Sequence, residues 1–198
     1  MSREVLQIVI KMNRRELSTK LALQCAPVLT GIKVANLLIV EAFLKETVQR
    51  TFDDSVLSCY LLLETEDKVT FLIYDEKALE EYLREQSVAE IMQMLGYHEE
   101  KMAVQLEKFS NRYESYSKGE AGFPHEMGLF LGYPSEDVLG FIREEGKNFL
   151  YTGYWKVYGD VAKAQKTFQE YNDAKEQVIR MIAQGISVNH IMHQYIVK

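Results

Sequence analysis

Cysteine and proline are both scarce in this chain. The two cysteines, Cys25 and Cys59, lie far apart and in no paired motif. A disulfide framework needs more thiols, and a thiolate zinc site needs close spacing, so both are expected as free thiols in the cytoplasm. The three prolines, Pro27, Pro124 and Pro134, are joined by no linker, repeat or low-complexity tract, which predicts a single domain over residues 1–198. There is no Gly-rich phosphate loop of either common type and no Gly-x-Ser-x-Gly elbow, so the familiar nucleotide and serine-hydrolase signatures are excluded.

Long apolar runs are missing as well. The opening stretch is interrupted by Glu4 and Gln7 and followed closely by Lys11, Arg14 and Arg15, too short and too charged for a signal peptide or a spanning helix. Val34–Val40 and Val56–Leu63 have only strand length. Basic excess is absent: 23 Lys and Arg stand against 29 Asp and Glu, for a net charge of −6, with the signs interleaved along most helical stretches. Without a basic stripe to neutralise phosphates, neither nucleic acid nor an anionic membrane surface is an expected partner.

What is present is an apolar fraction of 47%, enough at this length to bury roughly 70% of the unfolded surface without staples. Glu4–Met12 is expected as a helix. Asn13 with Glu16 resembles a capping box for a helix from Arg14, which should stop by Ala26 because the residue before proline avoids helical geometry. Val34–Val40 reads as a strand and Glu41–Arg50 as a helix. Val56–Leu63 and Val69–Tyr74, parted by a polar stretch, predict a β-hairpin.

Further helices are expected after Asp75, from a Ser87/Glu90 capping box to Gly96, from Glu99 through Tyr113, from Pro124 to Gly132, from Ser135, from Asp160 to Gly185 and from Ser187. Ser115–Gly122 reads as a loop and Tyr154–Val157 as a strand. The fold class is therefore α+β: a small, mostly antiparallel sheet of about four strands with a central hairpin, surrounded by about seven to eight helices. The strand-helix-strand run at the start allows one parallel neighbour.

Two segments carry more chemistry than scaffold requires. Cys25–Asn36 packs a thiol, a hydroxyl, a turn glycine, an amine and an amide into a helix-to-strand connection. Cys25 is the candidate nucleophile and His125 the candidate base, with Lys33 and Asn36 able to stabilise developing negative charge. Against this, Cys25 falls at the C-terminal end of its helix, where the dipole disfavours thiolate, and burial where helix meets sheet is the structural alternative. The second segment joins Gly122–Pro134 to Gly153–Tyr158. Here Tyr154, Trp155 and Lys156, with Glu126 beside His125, form an aromatic and charged set that could line a pocket for a flat or anionic ligand. The alternative is an edge strand whose tyrosines cover the core and whose lysine discourages pairing.

No metal site is expected. His125-Glu126 resembles the opening of a zincin motif, but Leu129 stands where the second histidine would be. His190 and His193 share a helical face without a nearby carboxylate or thiol. The sequence names no cofactor and leaves the oligomeric state open.

Three blocks, CAPxLxGxKxANL at 25–37, FPHExGx(F/L)LGYP at 123–134 and GYWKVY at 153–158, together resemble the signature blocks of a family labelled domain of unknown function 3793. The resemblance spans essentially the whole chain and implies a cytoplasmic single domain of mainly anaerobic Gram-positive bacteria, with no assigned activity. Val34 stands where the family pattern has proline and Thr152 where it has cysteine, so a two-thiol chemistry is not implied for this member. Three functions compete: a small-molecule-binding or regulatory module built from the Cys25–Asn36 connection, the His125 helix and the Trp155 strand; a thiol-dependent hydrolase or acyl transferase using Cys25 and His125; and a protein–protein adaptor.

Overall fold

The first element is a helix because Ser2 caps it: its Oγ accepts from the Val5 N–H, and Val5 and Val9 fall on one buried face. The computed structural model describes residues 1–98 and 101–197. In chain order the elements are α1 (Arg3–Lys11), α2 (Leu17–Gln24), α3 (Ala26–Leu29), β1 (Ala35–Glu41), α4 (Lys45–Phe52) after a 3-10 turn at Ala42–Leu44, β2 (Ser58–Glu64) and β3 (Lys68–Tyr74). They continue as α5 (Glu76–Leu83), α6 (Gln86–Met94), α7 (Met102–Ser117), α8 (Glu126–Phe130), α9 (Ser135–Arg143), β4 (Tyr151–Thr152), β5 (Lys156–Val157), α10 (Val161–Ala183) and α11 (Val188–Ile196). The chain divides into two compact units, Met1–Glu76 with Glu170–Lys198 and Lys77–Gln169.

The first unit is built on a three-stranded sheet of order β1-β3-β2, antiparallel at both pairings. The expected hairpin is β2–β3, closed by Thr65, whose N–H donates to the Lys68 carbonyl and whose hydroxyl accepts from the Lys68 N–H. The expected parallel neighbour is not found. β1 and β2 do run the same way, but β3 inserts between them, so each meets an antiparallel partner. One face of the sheet, through Leu38, Val40, Val69, Phe71 and Ile73, packs on Val5, Leu21, Val178 and Ile191 from the helices. Each such apolar side chain removed from water contributes roughly 1.5–3 kcal/mol. The free edge of β1 is blocked by Gln24, whose amide donates to the Ile39 carbonyl (3.0 Å) and accepts from the Ile39 N–H (2.9 Å), as a neighbouring strand would.

Two local expectations fail for identifiable reasons. Asn13 does not cap a helix from Arg14. Its Oδ1 accepts from the Arg15 N–H, an Asx turn that competes with helix, and α2 starts at Leu17. Pro27 does end α2, but it also supplies the first turn of the unanticipated α3, where its missing N–H costs nothing.

The second unit holds α5–α9, a small ribbon and the start of α10. Ser87 lies inside α6 rather than at its cap, and its hydroxyl meets that of Ser135 at 3.0 Å. The expected start of α7 at Glu99 lies outside the described residues; from Met102 its buried face is Met102, Leu106 and Phe109, and Phe109 stacks on Phe130 at 4.7 Å. The expected fourth strand is a separate two-stranded ribbon, with Tyr151 opposite Val157 and Thr152 opposite Lys156. Gly153 turns the chain there: a Cβ would come within 2.3 Å of the Phe168 ring, so only glycine lets the ribbon close against that side chain. α10 begins as expected, with Asp160 Oδ1 accepting from the Lys163 N–H at 3.0 Å. The α+β class stands, with three strands plus two in place of four, and eleven described helices in place of about seven to eight.

Candidate functional site

Short helices position the site in the second unit. α8 has only five residues, and Glu126, Leu129 and Phe130 at three- and four-residue spacing are all buried. That fixes its rotation and leaves His125, Met127 and Gly128 on the wall of a cavity. Gly128 lets α8 approach α9 closely, since a Cβ there would stand 2.8 Å from Val138. Gly132, at φ +68°, then turns the chain into α9.

Asp137, in the first turn of α9 and 3% exposed, ties the ribbon in place. Its Oδ2 accepts from Trp155 Nε1 at 2.7 Å, and its Oδ1 accepts from the N–H groups of Tyr158 (2.7 Å) and Gly159 (2.8 Å). The Trp155 ring is further held by stacking on Tyr133 (5.0 Å) and by the edge contact of Phe168 (4.5 Å). The orientation of the indole is thus fixed by the protein itself.

The cavity so formed measures about 250 Å³. Phe123, Tyr133, Phe141 and Trp155 supply rings, Met127, Leu131 and Val138 aliphatic wall, and His125, Asp137 and Lys156 the polar groups. The His125 imidazole lies 5.7 Å from Phe123 and 5.8 Å from Phe141. Burial pushes its pKa down, with the Arg112 guanidinium helping and the Glu126 carboxylate opposing, so the ring is neutral at neutral pH. Its Nδ1 is buried and, among the described residues, has no hydrogen-bond partner. An unpaired buried group of this kind costs about 1–3 kcal/mol, which a hydrogen-bonding ligand would recover. Lys156 Nζ donates to the Gly146 carbonyl at 2.6 Å and sits over Phe149 (4.9 Å) and Phe141 (5.7 Å).

The remaining expected site residues have other roles. Glu126 is fully buried, and its Oε1 accepts from Tyr97 Oη (2.8 Å) and Arg112 Nε (3.0 Å). It does not line the cavity. Tyr154 packs on Phe168 at 5.7 Å and is also outside the lining. Cys25, Lys33 and Asn36 belong to the first unit, His125 to the second. Cys25 is 0% exposed, its Sγ donates to the Leu37 carbonyl at 3.8 Å, and burial pushes its pKa well up against the smaller opposing pull of Lys33. Such a thiol has neither access nor thiolate character at neutral pH. Lys33 is buried, donates to the Ala35 carbonyl and is lowered by that burial to about 7. Asn36 Oδ1 accepts from the Val28 N–H at 3.2 Å.

Sequence reasoning missed Asp137, Phe123, Tyr133 and Phe141. Asp137 carried only the signal of an acid in a first turn, and Phe141 only helical spacing from Val138. Phe123 and Tyr133 sit inside the block that drew attention to His125. Among the described residues no group of three His, Cys, Asp or Glu is arranged to hold a metal, and His190 and His193 are exposed on α11.

Together these features define an α+β protein with an aromatic-walled cavity in its second unit and, among the described residues, no helix long and apolar enough to cross a membrane. Comparison with protein families then places it: the chain belongs to the family described as "Protein of unknown function (DUF3793)", whose model matches residues 21–192. Comparison with curated proteins and with solved structures gave no match.

Proposed function

We propose that this protein is a small-molecule-binding module whose ligand occupies the cavity between α8, α9 and the β4–β5 ribbon. One observation carries the reading: His125, Trp155 and Lys156, from blocks roughly thirty residues apart, line a single aromatic-walled space in which one buried nitrogen has no partner. The cavity is smaller than the roughly 300–1,000 Å³ of sites for drug-sized ligands, so the fitting molecule is of metabolite size. Two free cysteines, Cys25 and Cys59, support a cytoplasmic setting.

Trp155 is the sole tryptophan, so its fluorescence reports the cavity directly. Titration with small single-ring compounds excited at the red edge of the indole band is expected to give saturable quenching or shift, weakened when Met127→Phe narrows the space. Absence of any saturable response across such a set overturns the reading. A second function, docking of a protein partner, draws on the consecutive exposed apolar residues Phe149, Leu150 and Tyr151. A strict monomer by light scattering whose elution is unchanged by cell lysate counts against it.

A further inference from the structure

Lys156 has three N–H donors, and the Gly146 carbonyl takes one of them. Its other neighbours are the faces of Phe141 and Phe149. Among the described residues no carboxylate lies within ion-pair distance of it. The ammonium is half-buried at an apolar wall, so its charge is only partly solvated and has no counter-ion. The one acid on the same wall, Asp137, has both oxygens engaged by three N–H donors. A partly buried cation with spare donors beside aromatic rings selects a planar ring carrying a negative group.

We infer that the ligand is a small aromatic monocarboxylate: its ring lies against Trp155, Tyr133 and Phe141, its carboxylate pairs with Lys156, and His125 Nδ1 meets a polar substituent. This rests on the cavity being the ligand site. The carboxylate takes the Lys156 donors that the Gly146 carbonyl leaves spare. Gly146 lies in a segment with left-handed backbone at Glu145 (φ 51°), Gly146 (φ 71°) and Asn148 (φ 55°), conformations that cost energy in non-glycine residues and persist only when held. The Lys156–Gly146 bond is one such hold on this segment.

The test is a pair of isosteres, phenylacetate and phenylacetamide, titrated on the full chain by Trp155 fluorescence and by calorimetry. The acid is expected to bind at least tenfold more tightly than the amide. Lys156→Met should abolish the preference for the acid over the amide, and Lys156→Arg should restore most of it. Equal binding of acid and amide to the natural protein overturns the carboxylate assignment and leaves the cavity reading intact. Binding of neither compound, nor of any uncharged single-ring compound, removes both.

Discussion

The Cys25–Asn36 connection and the His125–Lys156 cavity carry similar chemistry: in each, a basic side chain and a nitrogen- or sulfur-bearing group sit among apolar neighbours. They are finished differently. In the connection Cys25 faces the Leu37 carbonyl, Lys33 donates to Ala35, and Asn36 pins the Val28 N–H, so each polar group closes the join between α3 and β1. In the cavity Asp137 is equally well satisfied, yet among the described residues His125 Nδ1 has no partner and Lys156 donates to a neutral carbonyl. Buried polar groups make a lock where their hydrogen bonds are complete and a receptor where they are left open.

Substitutions separate the two kinds of finish. The largest effect is expected at the lock inside the cavity wall: Asp137→Ala strands three N–H donors and should cost about 3–5 kcal/mol in urea unfolding. Asn36→Ala should cost about 1–2 kcal/mol, because it leaves the Val28 N–H without its acceptor.

pH sharpens the contrast through Lys33. Its folded pKa of about 7 lies below the ordinary 10.5, so between these values the unfolded chain binds more protons than the native one. Stability from this group is least below pH 7 and rises as pH increases. Above pH 9 Cys25, whose pKa is raised, opposes it. The urea midpoint of the natural protein should therefore climb between pH 7 and 9 relative to that of Lys33→Met.

The smallest change in stability, and one of opposite sign, is expected in the open site. His125→Phe removes an unpaired buried nitrogen and should be neutral or stabilising by up to about 1 kcal/mol, while weakening ligands that hydrogen-bond there. A loss above about 2 kcal/mol would mean that His125 is part of a lock after all. Iodoacetamide near neutral pH should leave Cys25 unmodified in the native chain, and rapid labelling would break the comparison from the other side.

Much of the architecture is readable locally. Alternating and β-branched residues mark β2 and β3, and Ser187 and Asp160 cap α11 and α10 as expected. Errors arose where a side chain chose between two local partners, as Asn13 did, or where a distant ring decided the path, as Phe168 did at Gly153. Of the site, the blocks bearing His125, Trp155 and Lys156 were legible as chemistry, and Asp137 was not, because its role consists of bonds to residues some twenty positions away.

The chain alone determined its α+β class, its hairpin and its free thiols, since these depend on composition and on neighbours within a few residues. Tertiary structure decided which polar groups are sealed and which face a cavity. Hydrogen-bond partners and enclosed space come from packing between segments remote in sequence, and no local pattern encodes how completely that packing satisfies a buried atom.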